Sequence, residues 1–166
     1  MEDGVIFTKT EYFLTVLRER LAQGQSVRDV AFSGVSMLPL LRQGKDTVEL
    51  SPLPKQLKKY DLPVYQYPSG KVVMHRIVAV KDQHYICLGD NTYSYENVLP
   101  EYCIALVTAI RRGNRVIRTD SPGYRLYSRI WVAVYPVRIC LHRASRYLRG
   151  CVKYVLWKLG WRKSSC

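Results

Sequence analysis

Ser36 occupies a position in the sequence where a serine could act as a nucleophile. It follows Gly34 at the exit of an expected strand and precedes a tight turn around Pro39. A glycine lets a substrate backbone approach closely, and amides of the turn would point toward an oxyanion formed beside the serine. A hydroxyl alone is a weak nucleophile, so catalysis requires a base within hydrogen-bond reach. The alternative interpretation is that Ser36 caps the short turn that follows it.

His75 is the candidate for that base. It lies in a strand-like run whose alternation places Val73, His75 and Ile77 on one apolar face. Imidazole changes charge near neutral pH, which suits general-base chemistry. A histidine on such a face is otherwise a core residue with a hydrogen-bond partner. Arg76 points to the opposite face, where a structural salt bridge is expected, and Lys71 shares the parity of His75 but is expected to be solvated.

Three short motifs follow one another along the chain. They are Gly-x-Ser-Met-x-Pro-x-Leu at 34–41, His-Arg-Ile-Val at 75–78 and Gly-Asp-Asn at 89–91. Together they resemble the signal-peptidase superfamily of serine peptidases, which includes the self-cleaving LexA-like repressors. Bacterial signal peptidases and LexA-like proteins carry lysine at the position of His75, whereas the endoplasmic-reticulum and archaeal branch carries histidine. The resemblance covers roughly residues 30–110 and is closest to this Ser–His branch.

The resemblance implies a carboxylate that orients the histidine. Asp90 matches the aspartate of Gly-Asp-Asn, and Glu96 falls on a second family acid, so both remain candidates. By itself, an aspartate in such a turn is an Asx-turn residue. The resemblance also implies an oxyanion and substrate-binding region at Gly34, Ser36 and Met37. Many members have serine at the position of Gly34, so here the oxyanion hole would depend on backbone N–H groups, including that of Ser36.

Two further departures from the family pattern concern the loop after Ser36 and the N-terminus. A lysine interrupts the family's Gly-Asp pair, giving Gly44-Lys45-Asp46, and no N-terminal membrane anchor is evident. We expect the serine-peptidase chemistry to be retained, and we expect the protein to reach a membrane by means other than the N-terminal anchor of typical signal peptidases.

The elements expected to position these residues are mainly short antiparallel strands. An amphipathic helix is predicted over 9–23, with Phe13, Leu17 and Leu21 recurring at helical spacing and Gly24 at its end. Strands are predicted at 28–33, 47–50, 62–67, 71–80, 84–88, 103–111 and 116–119. A helical segment follows the Ser-Pro-Gly break at 121–123, with an apolar stripe from Leu141 to Leu159.

This pattern predicts a mainly β fold. We expect a compact antiparallel β peptidase domain of signal-peptidase type, with an N-terminal helix and a basic C-terminal helical tail. The predicted segments are an N-terminal helix and lead-in at 1–30, the peptidase domain at 31–120 and the tail at 121–166.

The net charge of +13 is distributed unevenly. Residues 1–110 hold 12 Lys/Arg and 12 Asp/Glu, whereas residues 111–166 hold 14 Lys/Arg and a single acid, Asp120. A neutral body with a basic tail indicates a second role, adhesion to something anionic. Because Trp and Tyr accompany the cations over 124–163, an anionic membrane surface is the favoured partner and nucleic acid the less favoured one.

The five cysteines show no metal-ligand spacing. They are interpreted as reduced thiols in a cytosolic setting, with no metal or other cofactor expected. The expected location is therefore the cytoplasm, peripherally at the inner face of the membrane.

The function predicted from these features is that of a serine endopeptidase. Its substrate would be an extended leader or signal-like peptide, cut through a Ser–His site completed by Asp90 or Glu96. One alternative is a LexA-like self-cleaving or nucleic-acid-associated regulator, and another is a non-catalytic membrane-surface protein.

Overall fold

A mainly β body is followed by helices in a computed structural model of the protein, which describes residues 9–158. The elements are α1 (Lys9–Ala22), β1 (Val27–Val30), β2 (Asp46–Ser51), β3 (Pro63–Gln66), β4 (Val72–Met74), β5 (Arg76–Val80), β6 (Tyr85–Leu88), β7 (Glu96–Val98), β8 (Cys103–Arg112), β9 (Arg115–Arg118), α2 (Pro122–Ala133) and α3 (Tyr135–Lys158). Residues 1–8 and 159–166 of the expected terminal segments lie outside the described residues. Two compact units are found, one up to Arg129 and one from Ile130 onward. The division at 1–30, 31–120 and 121–166 stays a prediction.

The predicted N-terminal helix is confirmed as α1. It buries Leu14, Leu17 and Leu21 in the first hydrophobic core, whereas Phe13 is 40% exposed. The prediction that Phe13 lies on the buried face was therefore wrong. Leu14, the next residue along the chain, lies on that face together with Leu17 and Leu21. Gly24 ends the helix with a φ of 75°, and its amide donates to the Leu21 carbonyl at 3.0 Å.

The first sheet has the strand order β1-β2-β8-β3-β4, and β9 pairs with β8. All of these pairs are antiparallel. Alternation is clear in β2, where Val48 and Leu50 are buried while Thr47 and Glu49 are partly exposed. The predicted antiparallel β architecture is therefore confirmed, and the first core lies against this sheet.

The hairpin formed by β3 and β4 is the predicted one, with Gly70 at a φ of 83° in its turn. The continuous return strand predicted over 71–80 is wrong, since it breaks at His75. After His75 the Ile77 amide donates to the Asp61 carbonyl at 2.9 Å, and Ile77 accepts from the Tyr60 amide at 2.8 Å. These bonds continue the register of the β3–β4 pair beyond His75, while Arg76 and Ile77 also pair with β6 of the second sheet.

The second sheet has the order β5-β6-β7 and is also antiparallel. Strand β7, which carries Glu96, was not predicted from the sequence. Its pairing places Glu96 beside Cys87 of β6. Val73 and Ile77 both pack in the second hydrophobic core with Tyr65, so the predicted parity around His75 is confirmed across the break.

Helix α2 begins where the Ser-Pro-Gly break predicted. Pro122 occupies the first helical position, and the Ser121 hydroxyl accepts a long hydrogen bond of 3.4 Å from the Tyr124 amide. Within residues 9–158, none of the helices combines the length and apolarity that crossing a bilayer requires.

A buried ion pair joins α2 to the sheets. Arg76 and Asp90 are 1% and 2% exposed, and two parallel hydrogen bonds of 2.9 and 2.7 Å connect them. The remaining guanidinium nitrogen donates to Tyr124 Oη at 2.9 Å and to Ser128 Oγ at 2.7 Å. Tyr127 Oη donates to Asp90 at 3.1 Å. The salt bridge expected for Arg76 is confirmed, and its partner is one of the two candidate catalytic acids.

The substitution Asp90→Asn should lower the free energy of unfolding by about 3–5 kcal/mol, because it leaves the Arg76 charge buried without its counter-ion. Chemical denaturation measures this loss. The matched control is Asp120→Asn, which removes an acid from an exposed pair with Arg118 and should cause no measurable change. Equal effects of the two substitutions would contradict the structural role given to Asp90.

Candidate active site

Ser36 lies in the irregular segment between β1 and β2. Three apolar neighbours, Met37, Leu40 and Leu41, are buried in the first core and hold this segment against the sheet. Ser36 itself is half-buried. A turn is closed by the Leu38 amide, which donates to the Val35 carbonyl at 3.2 Å. The segment therefore keeps the serine at the surface while its neighbours anchor it.

His75 lies at the junction between β4 and β5 and is 6% exposed. Its Nδ1 is 2.9 Å from Glu96 Oε2 and 3.2 Å from Tyr65 Oη. Tyr65 also donates a short hydrogen bond to the same Glu96 oxygen. The two sheets thus meet at this site, since Tyr65 comes from the first and Glu96 from the second.

This network determines which nitrogen of His75 carries the proton. An ionised carboxylate only accepts hydrogen bonds, so Glu96 Oε2 receives one from Tyr65 Oη and one from His75 Nδ1–H. The neutral imidazole then has an unprotonated Nε2. That nitrogen can act as a hydrogen-bond acceptor and a base.

Burial and charge set the protonation states of the pair. Burial lowers the pKa of His75 below its ordinary 6.5, although the Glu96 charge and hydrogen bond partly oppose the shift. Burial would raise the pKa of Glu96, but the hydrogen bond from Tyr65 and the interaction with His75 outweigh it and lower that pKa. Near neutral pH, His75 is therefore neutral and Glu96 is ionised.

The Gly-Asp-Asn turn fastens the Ser36 segment to this network. The Asn91 amide donates to the Ser36 carbonyl at 2.7 Å, and Asn91 Nδ2 donates to the Val35 carbonyl at 3.1 Å. Gly89 fills the space between the two groups. A methyl group there would lie 2.8 Å from both His75 Nε2 and the Ser36 carbonyl oxygen. The turn thus sets the separation of the serine segment and the histidine.

A cleft of about 440 Å³ contains both Ser36 and His75. Glu96, Lys71 and Asn91 also line it. Within the described part of the chain, no hydrogen bond joins Ser36 Oγ to His75. Contacts of this kind are often long in unliganded sites and tighten when a substrate binds.

The three residues expected at the oxyanion region differ in the hydrogen bonds that their amides make. Gly34 has a φ of 109°, a conformation that favours glycine, and its amide is already engaged, donating to Gln43 Oε1 at 3.0 Å. Among residues 9–158, no protein group accepts a hydrogen bond from the amides of Ser36 and Met37. The Gly34 amide is thus already paired, and the assignment of Gly34, Ser36 and Met37 to an oxyanion and substrate-binding region stays a prediction.

The two candidate carboxylates have different partners. Glu96 bonds to His75, whereas Asp90 bonds to Arg76 on the other side of the strand. The hydrogen bond to His75 is therefore made by Glu96 and not by Asp90, and a catalytic role for either acid stays a prediction. Sequence reasoning missed Tyr65 and Gly89. The signals present were the position of Gly89 in the third motif and the placement of Tyr65 on the strand paired with the His75 strand.

Among residues 9–158, no group of three His, Cys, Asp or Glu side chains could hold a metal ion. The chemistry available to the described side chains is that of a hydroxyl, an imidazole and a carboxylate in one cleft. That set suits proton transfer and nucleophilic attack.

The imidazole of His75 should titrate below 6.5, and Glu96→Gln should lower its pKa further. The substitution removes the negative charge that favours the imidazolium. NMR titration of the histidine signals measures both values. Glu101→Gln, which removes an exposed carboxylate, serves as the control and should leave the titration unchanged. A His75 pKa that rises in Glu96→Gln would contradict the pairing.

The substitution Gly89→Ala should destabilise the fold by about 1–3 kcal/mol, since the added methyl overpacks a backbone oxygen that cannot move cheaply. Gly123→Ala is the matched control, because a methyl there has no heavy atom within 4 Å. It should be neutral or slightly stabilising in the first turn of α2. Denaturant unfolding of the two variants compares them, and similar stabilities would disprove the close approach at Gly89.

Comparisons of the chain with protein-family models, with curated proteins and with solved structures found no match. Membership of the signal-peptidase superfamily therefore stays a prediction.

Proposed function

We propose that the protein is a serine endopeptidase in which Ser36 is the nucleophile and His75 the general base. The observation that carries the proposal is the hydrogen bond of 2.9 Å between His75 Nδ1 and Glu96, beside a cleft that also contains Ser36. A neutral histidine with its Nδ1 proton held by a carboxylate has the form that a general base needs. Burial keeps it neutral near physiological pH.

The reaction begins when Ser36 Oγ attacks the carbonyl carbon of the scissile peptide bond. Its proton passes to His75 Nε2, and the Glu96 carboxylate stabilises the resulting imidazolium. The amides of Ser36 and Met37 donate to the oxyanion. The C–N bond then breaks, the leaving amine takes the proton from His75, and an ester remains on Ser36. Water then attacks the ester carbonyl and gives a proton to His75, and His75 passes that proton to Ser36 Oγ as the acyl C–O bond breaks, which releases the acid and restores the hydroxyl.

The proposed substrate is an extended peptide. Among the described strands, β4 pairs only with β3, and its residues 72–74 line the cleft together with residues 32–34. A substrate strand along this edge would gain main-chain hydrogen bonds, while adjacent pockets would select side chains. Leader or signal-like peptides fit this requirement, and so does an extended segment of a second copy of the chain.

A LexA-like version of the same chemistry would use a lysine as the base. Lys71 lines the same cleft as Ser36 and His75, which is the observation in its favour. Catalytic lysines of this kind act from buried positions, whereas Lys71 is exposed. His75 is buried and paired, so it is the preferred base.

The substitutions Ser36→Ala and His75→Ala should each reduce peptide cleavage by about 10⁴-fold or more, since they remove the nucleophile and the base. Lys71→Ala is the matched control, because it changes another residue of the same cleft, and it should retain activity within a few-fold. Mass spectrometry of a library of extended peptides incubated with each variant measures cleavage.

Each variant is first shown to unfold at the denaturant concentration of the parent protein. Cleavage that survives Ser36→Ala would disprove the proposed nucleophile. Loss of cleavage in Lys71→Ala together with full activity in His75→Ala would assign the base to lysine.

A further inference from the structure

Large apolar side chains are exposed along the helical C-terminal unit. Five of them have exposed fractions between 37% and 65%, namely Ile130, Val134, Val137, Leu141 and Leu148. Monomeric soluble proteins scatter such residues singly, whereas a contiguous exposed set marks an interaction surface. This surface contains none of the groups of the Ser36 cleft.

Three of these residues fall on one face of α3. Val137, Leu141 and Leu148 are separated by four and seven positions, and the exposed Ala144 lies between the last two. We call these four residues the α3 stripe. The stripe runs over residues 137–148 of this helix, which is about 17 Å at 1.5 Å per residue, so it covers three turns of one helix face.

The same part of the chain is strongly basic. Residues 130–166 contain eight Lys/Arg and no Asp or Glu. The unit also carries amphipathic aromatic residues. Trp131 has the guanidinium of Arg138 stacked 4.2 Å from its ring centroid, and Tyr147 is 74% exposed. Trp and Tyr of this kind favour the polar boundary of a bilayer, where one end of the ring is wet and the other is apolar.

We propose that the helical C-terminal unit docks the protein on an anionic lipid bilayer, with the α3 stripe in the boundary between headgroups and acyl chains. The basic side chains then lie near lipid phosphates, and the apolar side chains leave water. Charge complementarity and exposed apolar surface are satisfied together only by a partner that offers both an anionic layer and an apolar layer. A bilayer surface has this composition.

Two other kinds of partner would match either the apolar stripe or the positive charge, but not both. A second copy of the chain would cover the stripe, but it would bring two segments with a charge excess of the same sign into contact. A nucleic acid would neutralise the cations, but its phosphates would leave the stripe in water. The bilayer is therefore the occupant to which this surface points.

Sedimentation of the full-length protein with lipid vesicles tests the proposal. The probes are vesicles of phosphatidylcholine alone and vesicles in which a third of the lipid is phosphatidylglycerol. The protein should bind the anionic vesicles, and binding should weaken as salt is added. Leu141→Gln and Leu148→Gln leave the charge unchanged, and glutamine is compatible with a helix. Each should weaken vesicle binding by roughly tenfold or more, because a leucine side chain that would enter the bilayer is lost.

The matched control is Val116→Gln, which removes an exposed apolar residue of β9 that is 52% exposed. It should leave vesicle binding unchanged, as should Ser36→Ala. The binding claim therefore stands or falls separately from the proposed catalysis.

Three results would overturn the proposal. The first is equal binding to neutral and anionic vesicles, and the second is binding that survives the combined Leu141→Gln and Leu148→Gln substitutions. The third is the absence of binding to the anionic vesicles. In that case, a dimer that the combined substitutions abolish would identify a second copy as the partner, and salt-dependent binding of duplex DNA would identify a nucleic acid.

Discussion

The buried ion pair between Arg76 and Asp90 is the interaction on which the candidate site depends. Taking two charges out of water is costly, and the cost is offset only when the geometry is good and further hydrogen bonds satisfy the remaining donors. Both conditions are met, because the pair is bidentate and two residues of α2 accept from the third guanidinium nitrogen. Arg76 follows the candidate base in the chain, and Asp90 lies between Gly89 and Asn91. One ion pair therefore fixes the strand that carries His75 and the turn that holds the Ser36 segment.

The two candidate acids, Asp90 and Glu96, have different surroundings. Asp90 is almost fully buried and is held by a permanent cation. Glu96 lies at the edge of the cleft, with a quarter of its side chain exposed, and bonds to a group that changes charge near neutral pH. A carboxylate in that second setting can respond to a proton arriving on His75, whereas the first cannot be released without leaving Arg76 unpaired. Two carboxylates thus pair with consecutive residues of the chain, one with a permanent cation and one with a titratable imidazole.

Much of the fold could be predicted because its signals are local. The β3–β4 hairpin follows from the turn residues around Gly70, and α2 begins at a Ser-Pro pair that any helix start would favour. The division at His75 lies where pairing with β6 begins, and the alternation of the sequence carries no signal for that change of partner, so alternation alone suggested one continuous strand. Strand β7 is only three residues long, and it is defined by its pairing with β6. Three residues are too few to show the alternation from which a strand is predicted.

The candidate site shows the same division between local and long-range information. Ser36 and His75 could be selected from residue type and motif, and their placement in one cleft agrees with that selection. The choice between Asp90 and Glu96 could not be made from the sequence, because it depends on how the 89–96 loop folds over two sheets. Tyr65 was missed for a similar reason, since its hydroxyl meets Glu96 only after the sheets have come together.

The most direct test of the central claim is the reaction of the full-length protein with a fluorophosphonate, which modifies an activated serine. Intact mass and peptide mapping should show a single adduct on Ser36. The rate of its formation should rise with pH along the titration of His75, with a midpoint below 6.5, and His75→Gln should abolish it. No adduct at Ser36, or an adduct that forms at the same rate without His75, would contradict the account.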